Sequence, residues 1–212
     1  MKPYYFITAL FFLCFFSTTA QQNSSSSIPK NQVAVDLLTF HSPILNRNFF
    51  GFSMDAKYYV EPKWGTGFSF SASNKRISTD FSLGAADPDV SYLSIGWLNQ
   101  YDLIQSERVR VGINLNNGLA IVRLRDRSET EVYWDEFGYN EIPVSRGSNT
   151  LYIIEPGITA SFRMFTPKNF GDVFFTTQAK YRQAIGNTKF GKTDDYTNYY
   201  IGVGVSFIGP FD

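Results

Sequence analysis

Bulky apolar and small or polar residues alternate along most of the chain, and the alternation is sharpest near its end. From 199 to 207 the odd positions are Tyr199, Ile201, Val203, Val205 and Phe207; the even ones are Tyr200, Gly202, Gly204 and Ser206. Successive side chains of a strand point to opposite faces, so one face here is large and apolar and the other nearly bare. A soluble, half-buried strand shows polar and often charged residues on its second face. Glycine and serine suit a wall where backbones crowd together, as inside a narrow closed barrel.

Seven earlier segments repeat the pattern. In 32–40, Val33, Val35 and Leu37 oppose Asp36. In 50–60, Phe50, Phe52, Met54, Ala56 and Tyr58 oppose Gly51, Ser53, Asp55 and Lys57, and in 64–74, Phe68, Phe70 and Ala72 oppose Gly65, Gly67, Ser69 and Ser71. Segment 91–101 sets Leu93, Ile95 and Trp97 against Ser94, Gly96 and Gln100; 109–122 sets Ile113, Leu115 and Leu119 against Arg110, Gly112, Asn114 and Asn116. Segment 151–164 sets Tyr152, Ile154, Ile158 and Phe162 against Glu155, Gly157, Thr159, Ser161 and Arg163, with Pro156 marking a bulge or local distortion. In 173–183, Val173, Phe175, Ala179 and Tyr181 oppose Thr176, Gln178, Lys180 and Arg182. Most of these segments reach the ~9–11 residues that a tilted strand needs to cross a bilayer.

The connections alternate as well. Those at 61–63, 102–108 and 165–172 are short, those at 75–90, 123–150 and 184–198 are long and polar, and 41–49 is intermediate. Outer-membrane barrels have short periplasmic turns and longer external loops. A chain starting in the periplasm places all three short turns inside and all four longer connections outside.

Alternation leaves open which face points out. A soluble cup that binds a hydrophobic ligand has the same period with its apolar face inward. Volume favours the opposite arrangement: an eight-stranded barrel has room inside for small and polar side chains, not for this many Phe, Ile, Val and Leu. An outward belt of such residues needs lipid. The inward face then carries a charge cluster of Asp36, Asp55, Glu155, Lys57, Arg110, Arg163, Lys180 and Arg182. Both signs are present, as a narrow lumen requires, which suggests a salt-bridged plug rather than a conducting path. Trp64, Tyr58, Tyr59, Tyr101, Phe165 and Phe207 fall near the periplasmic ends, where an aromatic girdle belongs. The expected fold is therefore all-β: an eight-stranded antiparallel up-and-down transmembrane β-barrel with short periplasmic turns and longer external loops.

Composition narrows the setting. Lys2, an apolar stretch over 4–16 and small residues ending at Ala20 form a secretory signal peptide at 1–20. Leu13 stands before Cys14 where a lipidation signal wants a small residue. A flexible polar segment follows at 21–31, with serines at 24–27, and the barrel domain occupies 32–212. The chain has 19 basic and 19 acidic residues; cleavage removes Lys2 and leaves the acids one ahead, which gives no case for nucleic acid. It also removes Cys14, the only cysteine, so no intrachain disulfide can form. Nothing after residue 20 has the length and apolarity of a spanning helix.

The chain resembles the small eight-stranded outer-membrane barrels of Gram-negative bacteria, the OmpA/OmpX-like β-barrel superfamily. The resemblance covers roughly 32–211 and rests on the strand count, the alternation of loops and the segment 199–207. It departs at the end, where Gly209-Pro210 breaks the strand and Asp212 follows Phe211, whereas family members end in an aromatic. The resemblance implies outer-membrane lipid or lipopolysaccharide as surroundings and the barrel-assembly machinery as a partner during biogenesis.

Candidate chemistry is sparse. His41 is the only histidine, and Asp80 and Ser82 lie in the second long connection. Outer-membrane lipid A palmitoyltransferases resemble the chain in size and place a His, an Asp and a Ser in external loops, the group types that acyl transfer needs. Their adjacent Asp-Ser pair is replaced here by Asp80-Phe81-Ser82, and the His-x-Ser of lipid A deacylases is missing near the C-terminus. The third long connection gathers Tyr133, Trp134, Asp135, Glu136 and Tyr139, aromatics of the kind that anchor interfaces among acids that lack calcium-loop spacing. No cofactor or metal site is indicated. The leading expectation is a non-enzymatic barrel that anchors external loops for surface interaction, adhesion or envelope integrity, with a surface or envelope protein as partner. A lipid A acyl-modifying enzyme and a soluble periplasmic barrel with a hydrophobic ligand are the alternatives.

Overall fold

The computed structural model describes residues 32–135, 138–167 and 171–210; the segments expected to be a signal peptide (1–20) and a polar lead-in (21–31) and the last two residues lie outside them. Eight antiparallel strands follow in chain order: β1 (Gln32–Ile44), β2 (Arg47–Glu61), β3 (Trp64–Arg76), β4 (Pro88–Gln105), β5 (Val109–Asp135), β6 (Gly138–Phe165), β7 (Asp172–Ile185) and β8 (Asn198–Pro210). Each pairs with the next, and β1 pairs with β8 from Gln32↔Pro210 to His41↔Ile201, which closes the barrel. Closure leaves no edge in the wall.

The bulky face points outward. Phe52, Phe68, Ile95, Leu115, Phe175 and Ile201 all stand exposed on the outer wall, Phe68 and Ile95 by more than half. Girdle residues Tyr58, Trp64, Tyr101, Phe165 and Phe207 are exposed at the short-turn end, but Tyr59 is not among them: it is inward and 3% exposed. Its parity decides this, since Tyr59 shares a face with Asp55 and Lys57. Small inward residues let the wall close. Gly96 pairs with Gly118, and a Cβ on Gly118 would lie 2.4 Å from the Gly96 Cα.

The far ends of the strands differ from the sequence expectation. The connection expected over 41–49 is a two-residue turn at Leu45 and Asn46, both with positive φ (52° and 57°), so β1 and β2 run on to Ile44 and Arg47. The long loop expected over 123–150 is a β-ribbon. The β4–β5 ladder stops at Pro88↔Asp126, while β5 and β6 stay paired through Thr130↔Pro143 to Asp135↔Gly138. Pro156 distorts the wall without a bulge. The β6–β7 ladder resumes from Ile154↔Gln183 to Gly157↔Lys180 in unchanged register, and the register shift lies instead at Arg163/Phe165.

The interior is layered. At the short-turn end Ala34, Tyr59, Phe174 and Ile208 form a small apolar cluster. At the ribbon end Ile44, Phe49, Tyr92, Leu124, Ile153 and the loop residues Phe190 and Tyr196 belong to a larger one. Polar and charged side chains fill the space between. The inward face is thus polar only in its middle, which the repeated Gly, Ser and Asn positions obscure in the sequence.

Candidate functional site

Inward parity on six strands brings eight charges into the lumen, four of each sign, and each cation has one acid as ion-pair partner. Lys57 donates to Asp36 at 2.6 Å and to Gln100 at 2.9 Å. Arg182 donates through Nε to Glu155 at 2.6 Å, and Asn116 donates to the other Glu155 oxygen at 2.8 Å. Lys180 stands 3.5 Å from Asp55, which also accepts from Gln178 at 3.1 Å. The loosest pair is Arg110 with Asp102 at 3.9 Å, and Asp102 accepts from Gln100 at 2.7 Å and from Tyr59 at 3.1 Å.

The pairing resolves a conflict in register. Asp36 and Asp55 are direct partners across β1 and β2, an arrangement that is unfavourable for like charges. Lys57 and Lys180 each neutralise one of them. Aromatic rings add further support: the Arg182 guanidinium lies 4.6 Å from the Tyr92 ring centroid, and Lys180 Nζ lies 5.2 Å from that of Tyr200. Asp102 escapes the reading of 102–108 as a turn, although it continues the inward series Ser94, Gly96, Gln100. Arg163 corrects the expected cluster. It sits half-buried at the short-turn rim, 3.7 Å from Glu107 and 3.8 Å from Asp172, at the end of β6 and away from the four pairs.

The ribbon end is clamped by two side chains. The Asp126 carboxylate accepts from Ala86 N at 2.9 Å, Asp87 N at 3.1 Å and the Ser128 hydroxyl at 2.7 Å, and Arg146 pairs with it at 3.3 Å. These bonds, the Ser128 hydroxyl first, hold its carboxyl well below the usual carboxylate range. Asn149 donates to Phe190 O at 2.8 Å and to the Tyr196 hydroxyl at 2.7 Å, which draws the last long loop over the barrel mouth. Burial pushes the Tyr196 hydroxyl above its ordinary range. Tyr196 ends a single 3-10 turn, Thr193–Tyr196, whose Asp195 carbonyl accepts from Leu45 N at 2.8 Å.

Above this lid the ribbon stands alone. Trp134 is 76% exposed, with its ring edge-on to Tyr139 at 5.5 Å, and Val132 and Ile142 are also exposed. Between 128 and 145 the sequence has five acids and no base. The backbones of Tyr133 and Asp135 are in β5, whereas Glu136 lies outside the described residues. His41 is on the outer wall between the rings of Phe50, at 5.0 Å, and Tyr199, at 5.8 Å. Asp80 accepts from Ser82 N at 3.0 Å in its own turn, and no described bond joins either residue to His41.

No protein-family model matches the chain, and no curated protein matches it. Among solved structures it is similar to neisserial surface protein A, with a TM-score of 0.52 and 15% identity, over 85% of this chain and 97% of that one. It is also similar to Ail, the attachment invasion locus protein of Yersinia pestis, solved with the heparin analogue sucrose octasulfate (TM-score 0.49, 16% identity, 85% of this chain and all of that one). For the N-terminal β-barrel domain of Pseudomonas aeruginosa OprF the TM-score is 0.42 and the identity 12%, over 85% and 98% of the two chains. The likeness to the neisserial protein shows a shared fold, the small eight-stranded barrel of outer-membrane type.

Proposed function

We infer that this chain is a non-enzymatic outer-membrane barrel whose β5–β6 ribbon is a surface-interaction arm. The observation that carries the reading is the ribbon itself, which leaves the wall with its aromatic and aliphatic side chains uncovered. Exposed Trp and Tyr are expensive to leave in water unless a partner covers them, and they are the residue types that anchor interfaces. The acids around them set the partner's character: an apolar pocket with a basic rim fits, and a polyanion is repelled. The outer belt of Phe, Ile and Leu supports placement in a bilayer, with the short turns in the periplasm and the ribbon outside. The paired lumen supports a plugged barrel that serves as a rigid mount.

The test is attachment of cells displaying the protein. Trp134→Ala/Tyr139→Ala is expected to reduce their attachment to a cationic protein-coated surface, while the unboiled protein keeps its faster gel migration. Attachment equal to that of the unaltered protein would overturn the reading.

A further inference from the structure

We propose that Arg123 and Arg125, with the groove beneath them on the outer wall, bind a phosphorylated, acylated glycolipid of the outer leaflet. The groove has a volume of about 450 Å³ and runs along β3, β4 and β5 at the ribbon end. Register fixes its layers. Asn74, Ser91 and Arg123 share one row, with Arg76, Asp89 and Arg125 in the row above. In the row below, Ala72, Leu93 and Ile121 are apolar. The outer wall therefore changes from apolar to cationic within three rows, at the level where a lipid changes from acyl chain to headgroup.

Two features select the ligand. First, the cations are available. Arg76 is committed to Asp87 and Arg146 to Asp126 and Glu129, but the side chains of Arg123 and Arg125 make no ion pair or hydrogen bond among the described residues. Asp89 stands in register between Arg76 and Arg125 without an ion pair, so one buried carboxylate faces a surplus of guanidinium charge. Planar guanidinium groups suit the oxygens of a phosphate, to which they can donate two bonds at once. Second, the cleft is notched by small residues, Ala72 and Ser91, beside exposed Leu93 and partly exposed Ile121. An inorganic anion would use only the upper row; an acylated phosphate uses both.

The proposal rests on the outer-membrane placement above but not on the ribbon. Its test is retention of lipid A by the full barrel in mild detergent, read by native mass spectrometry. One lipid A is expected to stay bound, and Arg123→Gln/Arg125→Gln is expected to weaken it roughly tenfold, the scale of lost charge-assisted bonds at an exposed site. Dephosphorylated lipid A should bind the unaltered protein no better than intact lipid A binds that variant. Ala72→Phe, which fills the apolar floor and leaves every charge in place, should also weaken retention. Lys189→Gln/Lys192→Gln removes the same charge from the last loop and should change nothing. The proposal is overturned if the arginine variant retains lipid A normally, if the lysine variant loses as much, or if millimolar inorganic phosphate displaces the lipid. Gel migration without boiling reads barrel closure separately, so failure of the membrane placement is distinguishable from failure of the site.

Discussion

Inside the barrel each charge is tolerable only because of its partner. Arg182 and Glu155 are 1% and 3% exposed in their side chains, where an unpaired ion keeps little of its hydration. Removing one member of a buried pair costs about 3–5 kcal/mol, whereas replacing both with apolar groups of similar volume is often neutral. Arg182→Leu should therefore shift reversible urea unfolding in micelles by about that amount, and Arg182→Met/Glu155→Leu should recover most of the loss. If the single and double variants lose equally, packing rather than charge balance explains the site. Gly118 offers a steric counterpart. A Cβ there would meet the Ile95 carbonyl oxygen at 2.1 Å as well as the Gly96 backbone, so the strands themselves must move. Gly118→Val should cost about 1–3 kcal/mol in the same unfolding measurement, as overpacking does elsewhere.

Single carboxylates tie the loops to the strands. Asp126 ends the β4–β5 ladder and holds the start of β4 and the base of the ribbon through its bonds to Ala86, Asp87 and Ser128. Folding lowers its carboxyl below the ordinary carboxylate range, so the stabilisation is complete at neutral pH. It is lost as the pH falls from that range toward the lowered folded value. Asp126→Ala should speed limited proteolysis within 77–87 at neutral pH, and acid should erase the difference between the variant and the unaltered protein. Equal cleavage at neutral pH would show that Leu83 and its apolar neighbours hold the loop unaided. The sequence reveals the eight strands wherever an apolar outer wall on one side and a narrow lumen on the other force contrast between alternate residues. The ribbon is hidden because water lies on both of its faces, so Val132, Trp134 and Ile142 obey no such contrast. The apolar cap is hidden for another reason: Val90 and Leu124 meet Phe190 and Tyr196 only through the fold.

At the scale of the molecule the chain divides into a closed, internally neutral cylinder and an arm that contributes nothing to its closure. All eight ladders that complete the ring exist without 129–143, and the residues of the ribbon tip pair only with one another. Stability of a closed barrel is cooperative through its hydrogen-bonded ring, so an element outside the ring should unfold, or be removed, without consequence for the rest. Replacing 129–143 with an Asn-Gly turn, which keeps Ser128 on Asp126 and leaves Val144 and Ser145 paired with Asp126 and Arg125, should leave unfolding free energy within about 1 kcal/mol of the unaltered protein. The shortened protein should migrate faster unboiled than boiled, as a closed barrel does, and should retain lipid A at the arginine groove. Attachment of cells should fall as it does for Trp134→Ala/Tyr139→Ala. A large loss of stability would mean that the arm braces the lid through Asp126 and Arg146, and the cylinder and the arm would then be one mechanical unit. Retained attachment would move the interaction surface to the lid, where the last loop is held by Asn149.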